Sequence, residues 1–268
     1  MIDSHCHLTD DKIIDNIDEI VDTFKANGVE MVLNIGVNKK TSLVAKEQAE
    51  KFDCVYSTVG FHPEDVDDYN EEEFEELLRK CLNIENMNKC ANMGTYNSKC
   101  IAVGEIGLDY YWRKDNKEEQ IKCFESQIKL AKKYNLPFIV HNRDASGDVL
   151  EILKRNAPYN RTNIIHCFSA SKEWAEEVIK LGFVISFSGS VTFNNAKNLQ
   201  AVAIWIDDDK FLVETDSPYL TPVPYRGIIN EPKYVVETAK FIANLRNTSL
   251  EHIDICTTNN FKRIFNIK

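Results

Sequence analysis

The sequence predicts an α/β protein, a (β/α)8 TIM-type barrel whose single domain covers residues 1–268. Two observations predict this class. Short apolar runs without strict alternation, typical of buried parallel strands, recur along the whole chain. Segments with helical periodicity separate them, and this alternation favours a parallel sheet. Eight such units within about 250 residues match one closed barrel, with an open doubly wound sheet as the alternative.

The predicted strands are short, and most end in a polar loop. They cover residues 1–5, 31–35, 55–60, 101–105, 137–141, 164–167, 183–187 and 211–214. Amphipathic helices are expected between them, most clearly over residues 13–24, 116–134 and 172–181. Gly182 is suited to end the last of these, and Pro232 suits the first turn of a later helix.

One segment does not follow this alternation of strands and helices. Residues 81–100 are rich in Asn, Lys and Met and show no clean periodicity. They are interpreted as a surface excursion between the third helix and the fourth strand, too short to form a second domain.

Charge and cysteine content restrict the class of protein. A formal net charge of −10 argues against a protein that coats nucleic acid nonspecifically, but not against a nucleic-acid enzyme. Eight cysteines occur without any C-x-x-C pair, and neither a signal segment nor a membrane-spanning apolar run is evident. We therefore expect reduced thiols and a cytoplasmic protein, with the nucleus as an alternative, no membrane association, no obligate protein partner and a monomeric state.

Chemically active side chains collect at the carboxyl ends of the predicted strands. They are His5, His7, His62, Glu105, Asp109, His141, Arg143, Asp144, His166, Glu214 and Asp216. His5 and His7 are two residues apart and therefore share a face of their strand. In a (β/α)8 barrel all these strand ends open on the face that carries the active site. The pattern therefore predicts one polar site rather than scattered structural histidines.

The residue types indicate metal chemistry. Asp109 and Asp144 have the alternative role of helix caps, whereas Glu105 and Asp216 are better suited to metal or proton chemistry. Imidazoles mixed with carboxylates favour Zn²⁺ or Mn²⁺ over Ca²⁺. Four imidazoles and two carboxylates are more ligands than one tetrahedral ion can bind. They suit two ions that share a bridging carboxylate, clamp a phosphate ester and activate a water.

Seven motifs carry a resemblance to a known family. In chain order they are DSHCHL, GFHP, GEIGLDYYW, VHNRDA, HCFS, SFSG and VETDSPYLTPVPYRGIINEP. Together they resemble the TatD family of metal-dependent deoxyribonucleases, within the amidohydrolase-like metallohydrolases, over nearly the whole chain. The resemblance implies a distorted (β/α)8 barrel, a binuclear metal centre and hydrolysis of phosphodiester bonds in DNA.

The resemblance also implies roles for individual residues. Glu105 would bridge two divalent ions, Mg²⁺ or Mn²⁺ for activity, although Zn²⁺ often occupies such sites. The implied metal ligands are His5, His7, Glu105, His141, His166 and Asp216. His62 would contact the substrate phosphate.

The expected reaction is hydrolysis of DNA, in the manner of a 3′–5′ exonuclease. Asp216 is the expected general base, and Asp216, Glu105 and His62 are the expected catalytic residues. Further substrate contacts are expected from Arg143, Arg226 and the aromatic run of residues 110–112, above all Trp112, although these aromatics could instead pack against the barrel mouth.

Two other readings stay open. The first is an amide or ester hydrolase on the same scaffold, for example an aminoacyl-tRNA deacylase. Many binuclear amidohydrolases use a modified lysine at the fourth strand, where this chain has Glu105, so the deoxyribonuclease is favoured. The second is a scaffold that binds metal or protein without catalysis, against which the full set of expected ligands argues.

Overall fold

Strands and helices alternate along the chain in the computed structural model, which describes residues 1–84 and 96–267. The hydrogen-bonded order of the eight strands follows their order in the sequence. The strands are β1 (Ile2–Cys6), β2 (Met31–Asn34), β3 (Val55–Val59), β4 (Cys100–Asp109), β5 (Phe138–Arg143), β6 (Asn163–Ile165), β7 (Phe183–Phe187) and β8 (Phe211–Val213). The predicted (β/α)8 TIM-barrel class is confirmed.

The helices occupy the segments between strands. They are α1 (Ile17–Asp22), α2 (Lys39–Lys51), α3 (Glu71–Cys81), α4 (Lys117–Lys133), α5 (Ser146–Asn156), α6 (Lys172–Lys180), α7 (Lys197–Trp205), α8 (Val235–Leu245) and α9 (Leu250–Phe265). None of these helices in residues 1–84 and 96–267 has the length and apolar character that a membrane span requires.

The chain clusters into two compact units, residues 1–34 with 165–268, and residues 35–164. In the first unit β1 pairs in parallel with β2, and β7 pairs in parallel with β8. The segment after β8 joins β1 through a parallel bridge between Cys6 and Ser217. This bridge fixes the residues that follow β8 beside the end of β1.

In the second unit β4 lies between two parallel neighbours, β3 and β5. Phe74 of α3, Phe124 of α4 and Phe138 of β5 are almost fully buried. Burying an aromatic side chain of this size contributes on the order of 2 kcal/mol. The apolar helix faces therefore hold this part of the sheet in place.

Strand β4 is longer than the sequence predicts. The apolar run suggested an end at Glu105, but the strand continues to Asp109. Gly107, which interrupts the pattern, has a φ of +146°, and a Cβ atom there would overlap the carbonyl oxygen of His141. The glycine thus permits close approach of β4 and β5 rather than ending the strand.

The first predicted helix is broken into pieces. A 3₁₀ turn at Ile14–Asn16 precedes α1, and another follows it at Lys25–Asn27. The Thr23 hydroxyl donates to the Ile20 carbonyl at 2.7 Å, and the Asn27 amide donates to the Thr23 carbonyl at 2.8 Å. Such side-chain bonds compete with the helical backbone pattern.

The predicted excursion at residues 81–100 lies mostly outside the described residues. Its described ends are tied together, because the Ser98 hydroxyl donates to the Cys81 carbonyl at 2.6 Å and accepts from the Cys100 amide at 3.0 Å. These two hydrogen bonds connect the end of α3 to the start of β4.

Candidate metal-binding clusters

The end of β1 carries two imidazoles on one face. His5 is fully buried within β1 and His7 follows the strand, and their Nε2 atoms are 3.3 Å apart. Residues two apart on an extended chain share a face, which is why the short spacing brings the rings together. Two ligands of a tetrahedral metal ion at about 2.05 Å lie about 3.3 Å apart, so this separation suits metal ligands.

Asp216 completes a first cluster with these histidines. Its Oδ1 atom lies 3.2 Å from His7 Nε2 and 3.8 Å from His5 Nε2. The Asp216 amide donates to the His5 carbonyl at 2.9 Å, and the His7 amide donates to the Ser217 carbonyl at 2.8 Å. These backbone bonds fix Asp216 against β1, so the convergence does not depend on a flexible side chain alone.

The charge state of Asp216 is set by its neighbours. Burial by itself would raise the pKa of this carboxyl group, but the hydrogen bond with His7 and the nearby imidazoles of His5 and His166 outweigh it and lower the pKa below its ordinary value. Asp216 is therefore an ionised carboxylate at neutral pH.

His166 joins the same cluster from the end of β6. Its ring stacks on that of His5 with centroids 3.9 Å apart and an angle of 10° between the ring planes. The buried Glu214 lies behind it, with Oε1 3.5 Å from His166 Nδ1, and the same oxygen accepts a 2.7 Å hydrogen bond from the Cys167 amide. A carboxylate behind a histidine is the usual outer partner of a metal-binding imidazole.

A second cluster lies in residues 35–164 and centres on Glu105. This side chain is 2% exposed, and its Oε1 atom lies 2.7 Å from His141 Nδ1 and 3.7 Å from His62 Nε2. The rings of His62 and His141 are 4.4 Å apart between centroids. One carboxylate oxygen therefore faces two imidazoles.

Asp109 contacts the other side of His141, with Oδ2 3.0 Å from Nε2. A neutral imidazole donates from one nitrogen only, so it cannot satisfy carboxylates at both nitrogens. The arrangement thus calls for one positive charge at this position, either a second ring proton on His141 or a metal ion beside Glu105. Burial by itself would raise the pKa of Asp109, but His141 and the amides of Trp112 and Tyr111 outweigh it and lower the pKa.

Both clusters offer donors suited to a divalent ion. In the first, ligand atoms of His5, His7 and Asp216 lie within 4.8 Å of one another, and in the second the same holds for His62, Glu105 and His141. Two imidazole nitrogens and one carboxylate oxygen are a donor set that suits Zn²⁺ or Mn²⁺.

The predicted substrate contacts have different surroundings. Arg143 lies over the rings of Tyr111 and Trp112, at 4.1 and 5.4 Å from their centroids. Tyr111 and Trp112 are 51% and 60% exposed, whereas Tyr110 is buried and donates to Asp148 at 2.6 Å. For Tyr110 the structure therefore agrees with the alternative expectation of packing, and this ring is not available to stack on a base.

Arg226 is partly engaged within the protein. Its guanidinium lies 4.1 Å from the centroid of Phe193 and donates to the Thr221 carbonyl at 3.0 Å. The role of Arg226 as a substrate contact stays a prediction.

The sequence places Asp109 and Glu214 at strand ends within the predicted polar site, but it indicates no role for either as the partner of a histidine. Asp109 had a detectable signal, because it lies four residues after Glu105 in one strand and so on the same face. Asp109 does not cap a helix, since α4 begins at Lys117 after its N-cap Asn116. Its Oδ1 atom instead accepts from the amides of Tyr111 and Trp112 at 2.9 and 2.8 Å, in the turn that follows β4. Glu214 had only its place at a strand end as a signal.

Comparison with known proteins places this architecture in a family. Residues 2–266 match the family model described as TatD related DNase. An uncharacterized metal-dependent hydrolase of Bacillus subtilis, YabD, is 40% identical over 267 residues, which cover 100% of this chain and 99% of that protein. The uncharacterized metal-dependent hydrolase YcfH of Escherichia coli K12 is 35% identical over 271 residues, covering 100% and 96%.

A solved structure agrees with these sequence matches. YjjV, a TatD homologue from Escherichia coli K12, superposes with a TM-score of 0.89 at 27% identity, covering 100% of this chain and 98% of that one. The match therefore extends over the whole (β/α)8 architecture. This chain belongs to the TatD-related DNase family.

Proposed function

We propose that this metal-dependent hydrolase of the TatD family cleaves phosphodiester bonds in DNA with the help of two divalent ions. The observation that supports this most directly is the pair of clusters, in each of which polar atoms of one carboxylate and two imidazoles lie within 4.8 Å of one another. Both clusters lie at the carboxyl-terminal side of parallel strands, where (β/α)8 enzymes build their active sites.

The proposed division of ligands follows the family resemblance. His5, His7 and Asp216 would hold one ion, and His141 and His166 would hold the other. Glu105 would be a ligand of both ions. When bound, such ions supply Lewis acidity toward a phosphate ester and toward water.

His62 has a different proposed role, which its hydrogen bonding supports. Its Nδ1 atom accepts from the Glu64 amide at 3.2 Å, so the ring proton of the neutral form belongs on Nε2. That nitrogen, 3.7 Å from Glu105, is then a donor rather than a metal ligand. We assign it to a hydrogen bond with a non-bridging phosphate oxygen of the substrate.

Asp216 is the proposed general base. Its carboxylate is ionised because the neighbouring imidazoles lower its pKa, so it is ready to accept a proton. One oxygen faces His7 at 3.2 Å, and the second is assigned to the water that attacks phosphorus. A positioned base of this kind contributes about 10²- to 10⁴-fold to a rate.

The exposed aromatic pair supports a nucleic-acid substrate. Tyr111 and Trp112 present solvent-exposed faces beside the charge of Arg143. Base stacking on aromatic rings next to an arginine is a common way to bind unpaired nucleotides. Because the protein has a net charge of −10, this local positive charge and the bound ions have to offset its repulsion of DNA.

The test is hydrolysis of end-labelled oligonucleotides, single- and double-stranded, with added Mg²⁺, Mn²⁺ or Zn²⁺ and with EDTA. We expect metal-dependent release of nucleotides from the 3′ end. Asp216→Asn should lower kcat by about 10²- to 10⁴-fold, while Glu47→Gln, an exposed carboxylate on α2, should leave it unchanged.

The same experiment includes an aminoacyl ester as the alternative substrate. Faster turnover of the ester than of any oligonucleotide, with the same dependence on Asp216, would assign the site to acyl transfer instead. Undiminished cleavage of DNA by Asp216→Asn would contradict the proposed base.

A further inference from the structure

Three potential metal ligands of different chemistry meet outside the two clusters. Asp208 lies in a 3₁₀ turn, Asp208–Lys210, directly before β8, and His252 and Cys256 lie one turn apart on α9. All three belong to the compact unit that contains residues 165–268. The family motifs named above include none of them.

Their polar atoms converge on a single imidazole nitrogen. His252 Nε2 lies 2.7 Å from Asp208 Oδ2 and 3.6 Å from Cys256 Sγ, and the three ligand atoms are within 4.8 Å of one another. In a nucleophile–histidine–aspartate triad the two partners occupy opposite ring nitrogens. Here both partners face the same nitrogen, which is the geometry of ligands around a common ion.

The separation of the sulfur and nitrogen atoms agrees with a tetrahedral zinc site. With a Zn–S bond of about 2.3 Å and a Zn–N bond of about 2.05 Å, sulfur and nitrogen lie about 3.6 Å apart. This is the separation found between Cys256 and His252. The Asp208–His252 separation of 2.7 Å is that of a hydrogen bond and would open to about 3.3 Å around an ion.

Asp208 is held in place by partners that leave one oxygen for an ion. Arg246 donates to Oδ1 at 2.6 Å, and Asn260 donates to the Asp208 backbone carbonyl at 2.7 Å. Arg246 is itself fixed, because it also donates to the Ile206 carbonyl at 2.7 Å. Oδ2 alone faces His252. Outer partners of this kind orient metal-binding carboxylates.

His252 and Cys256 are also held in positions suitable for binding an ion. His252 is in the first turn of α9, where its amide donates to the N-cap hydroxyl of Ser249 at 3.1 Å. Cys256 follows four residues later on the same helix face. Burial and then the charge of Asp208 raise the pKa of the Cys256 thiol, a penalty that a bound cation would remove.

We propose that Asp208, His252 and Cys256 form a binding site for one Zn²⁺ ion, with water as the fourth ligand. Nitrogen, sulfur and oxygen donors together select a borderline ion over Mg²⁺ or Ca²⁺. Asp208 precedes β8, so the site lies at the amino end of a strand, where (β/α)8 proteins carry stability rather than catalysis. The ion would fasten α9 to the turn before β8.

The test is titration of the metal-free protein with Co²⁺, whose charge-transfer absorption reports a thiolate ligand. We expect one equivalent of this absorption in the wild type and in Cys54→Ser, a matched control at another partly exposed cysteine. Cys256→Ser should lose the absorption, and His252→Ala should weaken Co²⁺ binding by more than about tenfold.

Competition with Zn²⁺ should displace the Co²⁺ signal, and Zn²⁺ should raise the melting temperature of the wild type more than that of Cys256→Ser. The proposed ligands of the two clusters contain no sulfur, so the thiolate absorption separates this site from them. Absence of the absorption in the wild type, or its persistence in Cys256→Ser, would show a hydrogen-bonded surface cluster only and overturn the proposal.

Discussion

His141 places its Nδ1 atom 2.7 Å from Glu105 Oε1, a contact between two side chains on neighbouring parallel strands. The partners are held by backbone pairing, since Gly107 of β4 is in register with His141 of β5. The buried carboxylate of Glu105 and the imidazole of His141 are therefore ordered before an ion binds. The entropy of ordering these ligands is therefore not lost when an ion binds.

Replacement of Glu105 by glutamine should remove most of the activity. The amide keeps the volume of the side chain but loses the charge that a divalent ion requires. Loss of a ligand should cost more than loss of an outer partner, so we expect turnover to fall by more than about 100-fold. Oligonucleotide hydrolysis at saturating Mn²⁺ measures this, with Glu47→Gln as the control. Activity within tenfold of the wild type would exclude Glu105 as a ligand.

Asp109→Asn should weaken metal binding rather than abolish catalysis. Asp109 Oδ2 lies 3.0 Å from His141 Nε2, and the carboxylate orients the ring and raises its basicity. Removing such an outer partner usually costs about 10- to 100-fold in metal affinity. Activity measured against Mn²⁺ concentration should therefore shift to higher metal and recover at saturation. A loss of activity that excess Mn²⁺ does not restore would instead make Asp109 a direct participant.

The sequence was sufficient to locate all eight strands and to bring the predicted ligands to strand ends, because apolar runs and strand alternation are local signals. It did not predict the extension of β4 to Asp109, because Gly107 interrupts the apolar pattern of the strand. The structure shows that Gly107 lies within β4 and packs closely against the carbonyl group of His141. The role of Glu214 behind His166 was also missed. That contact depends on pairing between distant segments, which no local pattern encodes.

Trp112→Ala should affect substrate binding more than the chemical step. Trp112 is 60% exposed beside Arg143, so a base can stack on it, and loss of one stacking contact costs about 1–3 kcal/mol. We expect KM for single-stranded DNA to rise about 5- to 150-fold with kcat nearly unchanged. Trp205→Ala, another surface tryptophan, is the control. Equal kinetics in Trp112→Ala and the wild type would support packing at the barrel mouth as its only role.

Asp3 should make the stability of the metal-free protein decrease as pH rises. Its carboxyl group is fully buried and accepts from the Thr215 amide at 2.9 Å, and burial outweighs this bond and raises its pKa from 3.8 to about 8. The folded state thus keeps a proton that the unfolded chain loses above pH 4. The resulting stability is complete below pH 4 and is lost as pH rises toward 8, by up to about 1.4 kcal/mol per pH unit.

Asp3→Asn tests this relationship, because the amide carries no ionisable proton. Urea unfolding in EDTA at several pH values between 5 and 8 should give a flatter pH dependence for Asp3→Asn than for the wild type. Asp11→Asn, at an exposed carboxylate, should follow the wild type. The histidines of the two clusters are present in all three proteins, so their contribution cancels in the comparison. Parallel curves for the wild type and Asp3→Asn would mean that Asp3 is ionised in the folded protein, with its hydrogen bonds to Thr215 outweighing its burial.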